Sequence, residues 1–222
     1  MFIEIPDLLT APELARLNEI ARTARFQDGR VTNPHSQVKK NLHHDAADAN
    51  FGPASQILQT ALLRCQPFQL FCFPKRMARP SLTKHQAGMA YGPHYDAPFM
   101  AVDGAPMRSD LSCTVFLSDP ASYAGGELNI HLGTRETAFK GPPGSAILYP
   151  STTLHEVRPV TAGERLAGIT FIESRIPDPH KRETVHELNE VLALEGLKMT
   201  WQGRTRLSGV SNNLLRMWGE PG

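Results

Sequence analysis

The sequence predicts a mainly β fold, a sandwich or barrel core with helices before and after it. Between residues 68 and 172 it runs through about eight short alternating or apolar stretches, broken by Gly, Pro and Asp. No helical pattern long enough to build parallel βαβ units lies between them. Helical periodicity appears only ahead of this region and after Arg175. At 222 residues, one core with appendages fits better than two domains. That length buries a sizeable core without disulfide or metal staples.

The first element is a helix over 12–24. Thr10 and Glu13 form a capping box, Pro12 suits an early helical position, and Leu14, Leu17, Ala21 and Ala24 make one apolar stripe. The polar stretch 28–48 reads as a loop. A second helix over 54–65 places Ile57, Leu58, Ala61, Leu62 and Cys65 on one face. The strand candidates are 68–73, 81–85, 111–117, 127–132, 135–139, 146–149, 155–160 and 166–172, with turns at Gly125-Gly126, Gly141-Pro142-Pro143-Gly144 and Thr161-Ala162-Gly163. After Arg175, Asp178 is a cap and Pro179 an early helical residue. Val185, Leu188, Val191 and Leu192 form a stripe, and Gly196 is a stop. A last helix uses 207–218. The organisation expected is a helical and loop region over 1–66, a core over 67–176 and a helical extension over 177–222, together one catalytic unit.

Twenty-three Lys+Arg against 22 Asp+Glu give a net charge of +1, which excludes an overall electrostatic case for nucleic-acid or acidic-membrane binding. No apolar run approaches the roughly 18 residues of a membrane span, and Met1 to Asp7 lack the basic start and apolar run of a secretory signal. Cys65, Cys72 and Cys113 form no CxxC and are odd in number. They read as reduced, mostly buried thiols of a cytoplasmic protein. Oligomeric state is left open.

Four residues carry the chemistry. In His94-Tyr95-Asp96 an imidazole and a carboxylate stand two apart. On an extended chain they point to the same side and can take adjacent positions on a divalent ion. Alone, the pair is a weak signal and fits polar residues of a surface loop better. A third ligand has to come from another strand, and His155, after the apolar run ending Tyr149-Pro150, is the candidate. Its other reading is a satisfied core histidine. Two histidines and one carboxylate leave three cis positions open on an octahedral ion such as Fe(II), although zinc hydrolases share the donor set.

Arg165, ten residues after His155, heads the run Leu166-Ala167-Gly168-Ile169-Thr170, which reads as a buried strand. A permanent charge there requires an anionic partner. A bound dicarboxylate would supply one: 2-oxoglutarate would chelate iron through its 1-carboxylate and 2-keto oxygen while Arg165 takes the far carboxylate. In one tight hairpin the two residues would lie roughly 15 Å apart, too far for so short a ligand. A connection that crosses to a facing sheet, as in a jelly roll, brings them closer.

These residues resemble the iron- and 2-oxoglutarate-dependent oxygenases, and more narrowly the bacterial PKHD-type hydroxylases, whose catalytic domain is similar to that of prolyl 4-hydroxylases. The likeness covers most of the chain. It includes Asp28-Gly29-Arg30-Val31-Thr32, Gln37-Val38-Lys39, Arg108-Ser109-Asp110-Leu111-Ser112 and Leu117-Ser118-Asp119-Pro120. It continues through Tyr123, Gly125-Gly126-Glu127-Leu128, Leu148-Tyr149-Pro150-Ser151 and Pro159-Val160-Thr161. The resemblance implies a double-stranded β-helix (jelly roll) core, with Fe(II) held by His94, Asp96 and His155 and 2-oxoglutarate held by Arg165. It further implies O2 as oxidant, L-ascorbate as reductant, release of succinate and CO2, and hydroxylation of an unidentified small-molecule or peptidyl substrate. His85 stands where relatives carry a tyrosine at a cosubstrate-contact position, and Phe171-Ile172-Glu173-Ser174 replaces a more usual Trp-Ile-Gln-Ser. Two rivals are a cupin-like metal enzyme without 2-oxoglutarate, which would lack the His155-to-Arg165 spacing, and a non-catalytic iron or 2-oxoglutarate sensor.

The remaining polar residues read as follows. Adjacent His43 and His44 would point opposite ways and belong to a solvated loop rather than a second metal site. Lys39 and Lys40 are either a solvated face or a reach toward an anionic substrate. Residues 28–48 are either plain loop or a substrate lid. Arg108, Asp110 and Glu127 satisfy turns and strand ends. His35, His131, His180 and His186 read as surface residues.

Overall fold

The computed structural model describes residues 1–221. Two antiparallel sheets face each other. The larger has eight strands. Their order is Ile3–Ile5, Ala146–Pro150, Leu111–Phe116, Glu164–Ser174, Ser81–Gln86, Leu42–His44 and Phe26–Asp28, and Pro74–Met77 also pairs with Glu164–Ser174. The smaller has five, in the order Arg135–Phe139, Leu128–Leu132, His155–Val157, Ala90–His94 and Lys39–Lys40. A hairpin of Phe99–Val102 and Ala105–Arg108 stands apart. This is the jelly-roll core the resemblance implies, with helices on its outer side.

Side-chain alternation divides the larger sheet into two faces. Leu111, Cys113, Val115, Leu148, Leu166 and Ile172 pack against Leu17 and Ile20 of α1 (Ala11–Thr23), Leu58 and Leu62 of α2 (Phe51–Arg64) and Phe68 of α3 (Gln66–Cys72). The intervening Phe116, Ile147 and Tyr149 meet Leu128, Ile130, Phe139 and Val157 of the smaller sheet. Leu111–Phe116 is buried at all six positions because it is covered on both sides. α4 (Pro179–Glu195) and α5 (Trp201–Trp218) complete the chain. The capping box at Thr10 and Glu13 is formed, and Asp178 caps α4.

Several expectations need correction. The run 68–73 is helical: Pro67 sits in the first turn of α3, Phe68, Phe71 and Cys72 share one buried face, and left-handed Phe73 (φ 44°) ends it. Periodicity cannot separate a short buried helix from a strand. The stretch 28–48 is not plain loop. It holds the 3-10 turn Gly29–Thr32 and the strands Lys39–Lys40 and Leu42–His44, so the region before residue 66 adds strands to both sheets rather than only helices and loops. Ala90–His94, unread in the sequence because Gly92 and Pro93 imitate a turn, is a strand of the smaller sheet. α2 starts earlier than expected, at Phe51, and α5 at Trp201. His44 and His186 are buried, not surface residues. The ring of His44 packs on Phe26 and Phe51, and that of His186 on Phe71.

Leu58, fully buried between α2 and the larger sheet, tests this packing. Leu58→Ala should lower the unfolding free energy by about 2–5 kcal/mol, read as a lower urea midpoint with an unchanged slope.

Candidate active site

The mouth of the sandwich opens into a cavity of about 710 Å³. Antiparallel pairing of His155–Val157 with Ala90–His94 sets His155 directly opposite His94, with ring centroids 4.2 Å apart. Asp96 follows just beyond the strand. His94 Nε2 lies 3.8 Å from Asp96 Oδ1, and His155 Nε2 lies 3.6 Å from Asp96 Oδ2. One ligand atom from each residue falls within 4.8 Å of the other two, and among the described residues this is the one such cluster.

Each imidazole is oriented by its own backbone. The Nδ1 of His94 meets the Gly92 carbonyl at 2.8 Å, and that of His155 meets the Thr153 carbonyl at 2.9 Å. With Nδ1–H donating, both Nε2 lone pairs turn toward Asp96. The ring of Tyr91 stacks on His94 at 3.5 Å, and Tyr149 packs edge-on to His155. The Ser112 hydroxyl donates to Asp96 Oδ2 at 2.5 Å and is held in turn by Ser151. Burial pushes the His94 pKa down to about 4, with His155 adding to the effect, so this imidazole is neutral near pH 7. Burial raises the Asp96 carboxyl above its ordinary range, opposed by His155 and the Ser112 hydrogen bond.

Arg165 enters from the other sheet. The chain leaves His155–Val157 in the smaller sheet and returns as Glu164–Ser174 in the larger one, the crossing that the His155-to-Arg165 spacing demanded. Arg165 is 2% exposed and its Nε has no partner. Burial lowers its pKa, with the Tyr123 and Tyr149 phenols nearby favouring the charged form. Its stem passes close over Gly126 (φ 70°), where a Cβ would meet Arg165 Cδ at 3.2 Å. His85 is the register partner of Arg165, also 2% exposed, and neither of its ring nitrogens has a partner. Burial, followed by Arg165, drives its pKa down to about 3. A buried guanidinium nitrogen and two buried imidazole nitrogens thus line one cavity without acceptors or donors of their own. Such groups are expensive to leave unsatisfied and fit a polar, anionic ligand.

The structure therefore brings His94, Asp96 and His155 together and faces Arg165 and His85 into the same cavity. Phe171 lines it too, whereas Glu173 lies 3.7 Å from Arg76 and 3.9 Å from Arg108. Arg108 and Asp110 pair at 2.8 Å, and Asp110 accepts from the Ser174 backbone, an anchoring role. Sequence reasoning missed Tyr91, Asn41 and His43 as lining residues. For Asn41 and His43 the signal was present in the polar alternation Lys39-x-Asn41-x-His43, which puts both on the side of Lys39 in an extended chain.

A jelly roll with two histidines and one aspartate at its mouth and an unpaired buried arginine within defines an oxygenase of the Fe(II)- and 2-oxoglutarate-dependent class. Residues 80–173 match the 2OG-Fe(II) oxygenase superfamily. A PKHD-type hydroxylase of Sphingopyxis alaskensis is 50% identical over 97% of this chain and 98% of its own length. One from Hyphomonas neptunium is 37% identical over 99% and 100%. Among solved structures, a Pseudomonas putida prolyl-4-hydroxylase superposes with a TM-score of 0.54 at 19% identity, covering 78% of this chain and 92% of that one. A Trichoplax adhaerens prolyl hydroxylase, solved with a hypoxia inducible factor peptide, gives 0.57 at 14% identity over 83% and 86%. The chain belongs to the PKHD-type hydroxylases. It is accordingly an Fe(II)- and 2-oxoglutarate-dependent dioxygenase, which sets aside the cupin-like and sensor rivals. Among the described residues no helix is long and apolar enough to cross a membrane.

The buried imidazole of His85 has a consequence for stability. Its folded pKa, about 3, lies below the ordinary value of 6.5, so the unfolded chain binds the extra proton first and stability falls as pH drops below about 6.5. His85→Leu should remove about one proton from that dependence, flattening the metal-free stability curve by about 1–2 kcal/mol between pH 7 and 5. Urea unfolding at the two pH values measures it.

Proposed function

We propose that His94, Asp96 and His155 hold the Fe(II), and that Arg165, with His85 beside it, holds 2-oxoglutarate. The observation that carries this reading is the pairing of a three-residue donor cluster with a fully buried arginine that no carboxylate neutralises among the described residues. Fe(II) held there would supply oxygen activation: one atom of O2 would enter succinate as 2-oxoglutarate loses CO2, and the other would enter the substrate C–H bond as hydroxyl. The chain's part is placement. Gly92 and Thr153 carbonyls fix the two imidazoles as Nε2 donors, and Ser112 holds the carboxylate. Arg165 offers a planar fork to the far carboxylate. Neutral His85 can accept or donate without adding a second charge. Tyr149 and the apolar walls keep bulk water from the site.

L-Ascorbate is proposed as the reductant that returns oxidised iron to the ferrous state. Three free cysteines, two of them buried, suit a reducing, cytoplasmic setting. The cavity, at about 710 Å³, lies in the range of ligand pockets and leaves room for a prime substrate beside the cosubstrate. The chain acts as one catalytic unit, since ligands come from both sheets.

Two substitutions separate the roles. Arg165→Met should raise the 2-oxoglutarate dissociation constant roughly ten- to a hundredfold, the worth of charged hydrogen bonds of about 1.5–3 kcal/mol, while metal affinity changes little. Calorimetry with the zinc-loaded protein reads both, and equal losses would make Arg165 structural. Ser112→Ala should instead weaken metal binding roughly ten- to a hundredfold and leave 2-oxoglutarate affinity of the loaded protein nearly unchanged.

A further inference from the structure

Lys39 is a buried cation that the proposed chemistry leaves unused. It is 7% exposed, its Nζ donates to Thr32 Oγ1 at 2.5 Å, and it lies 4.9 Å from the Tyr91 ring centroid, the ring that stacks on His94. No ion pair joins it to a carboxylate among the described residues. Lys39 lines the cavity that holds His94, Asp96 and His155.

Charge accounting, which rests on the proposed iron and 2-oxoglutarate assignment, then leaves one cation over. The two positive charges of iron and the Arg165 guanidinium are matched by Asp96 and the two carboxylates of the cosubstrate. Lys39 stands outside that balance: Asp96 and Asp28 lie near enough to favour its charged form, but neither is within ion-pair distance, and a buried ammonium without a paired counterion is unfavourable. We infer that Lys39 recognises a carboxylate on the prime substrate. One ammonium suits a single negative charge better than a phosphate dianion. Lys39 lies in the smaller sheet, beside the strand that ends at His94, on the wall that faces the sheet carrying Arg165. The charged group would thereby fix which C–H bond faces the metal.

The test uses the full chain loaded with zinc and 2-oxoglutarate, after calorimetry has registered cosubstrate binding. N-acetyl amino acids are titrated in pairs, each acid beside its C-terminal amide. The acids should bind roughly tenfold or more tightly than the amides. Lys39→Met should erase the difference, Lys39→Arg should keep it, and both should hold 2-oxoglutarate within about twofold of wild type. A second arm needs no variant: acetic anhydride labelling of Lys39 in the wild type, read by mass spectrometry, should slow with the acids and not with the amides. Equal binding of acids and amides, no binding of any pair, or labelling indifferent to the acids overturns the inference. So does a Lys39→Met loss of 2-oxoglutarate affinity as large as that of Arg165→Met, which would make Lys39 a cosubstrate residue. Failure of 2-oxoglutarate to bind the zinc-loaded wild type strikes the cosubstrate assignment itself, and the charge accounting falls with it.

Discussion

A permanent positive charge at the head of a strand that is buried on both faces constrains everything around it. Arg165 cannot shed its proton in any ordinary pH range, and 2% exposure leaves it almost no water. Its Nε is unpartnered, and the adjacent His85 brings two more unsatisfied nitrogens rather than a counter-charge. A fold that only had to be stable would have paired or replaced such a group. Across the cavity from this unsatisfied wall sits a cluster of two histidines and an aspartate, the donor set of a metal site. In the function proposed above, a dicarboxylate bridges the two halves.

Two sheets are what make that complementarity possible at ten residues' separation. Pairing in the smaller sheet sets His155 against His94, so two ligands arrive from register alone, and Asp96 follows past the strand end. The crossing to the larger sheet then sets Arg165 against His85. Strand alternation does the rest: one face of the larger sheet packs on α1, α2 and α3, and the other lines the cavity. The helices thus hold the sheet that carries Arg165 and His85.

Much of this was legible in the sequence, for identifiable reasons. The strands from residue 111 to 172 announce themselves by alternation between explicit turns, and the capping residues Thr10, Glu13 and Asp178 mark helix starts with their own chemistry. The donor triplet and Arg165 were visible as residue types in a suggestive order. What was hidden depends on tertiary covering. The run around Phe68 is too short for its period to show, and Gly92-Pro93 disguises a strand that pairing with its neighbours rescues. His44 reads as polar loop in one dimension and is buried between two aromatic rings in three. Lys39 looks like half of a solvated charge pair until the strand pairing with Tyr91 turns it inward.

The central claim is that the buried guanidinium selects the cosubstrate by its far carboxylate. The most direct measurement compares 2-oxoglutarate with 2-oxopentanoate, in which a methyl group replaces that carboxylate and the chelating end is unchanged, by calorimetry on the zinc-loaded wild type. The account predicts at least roughly tenfold weaker binding of 2-oxopentanoate, the loss of a charge-assisted bidentate contact. Equal affinity for the two would contradict it, because the chelating end would then carry all the recognition and Arg165 would have no ligand to neutralise it.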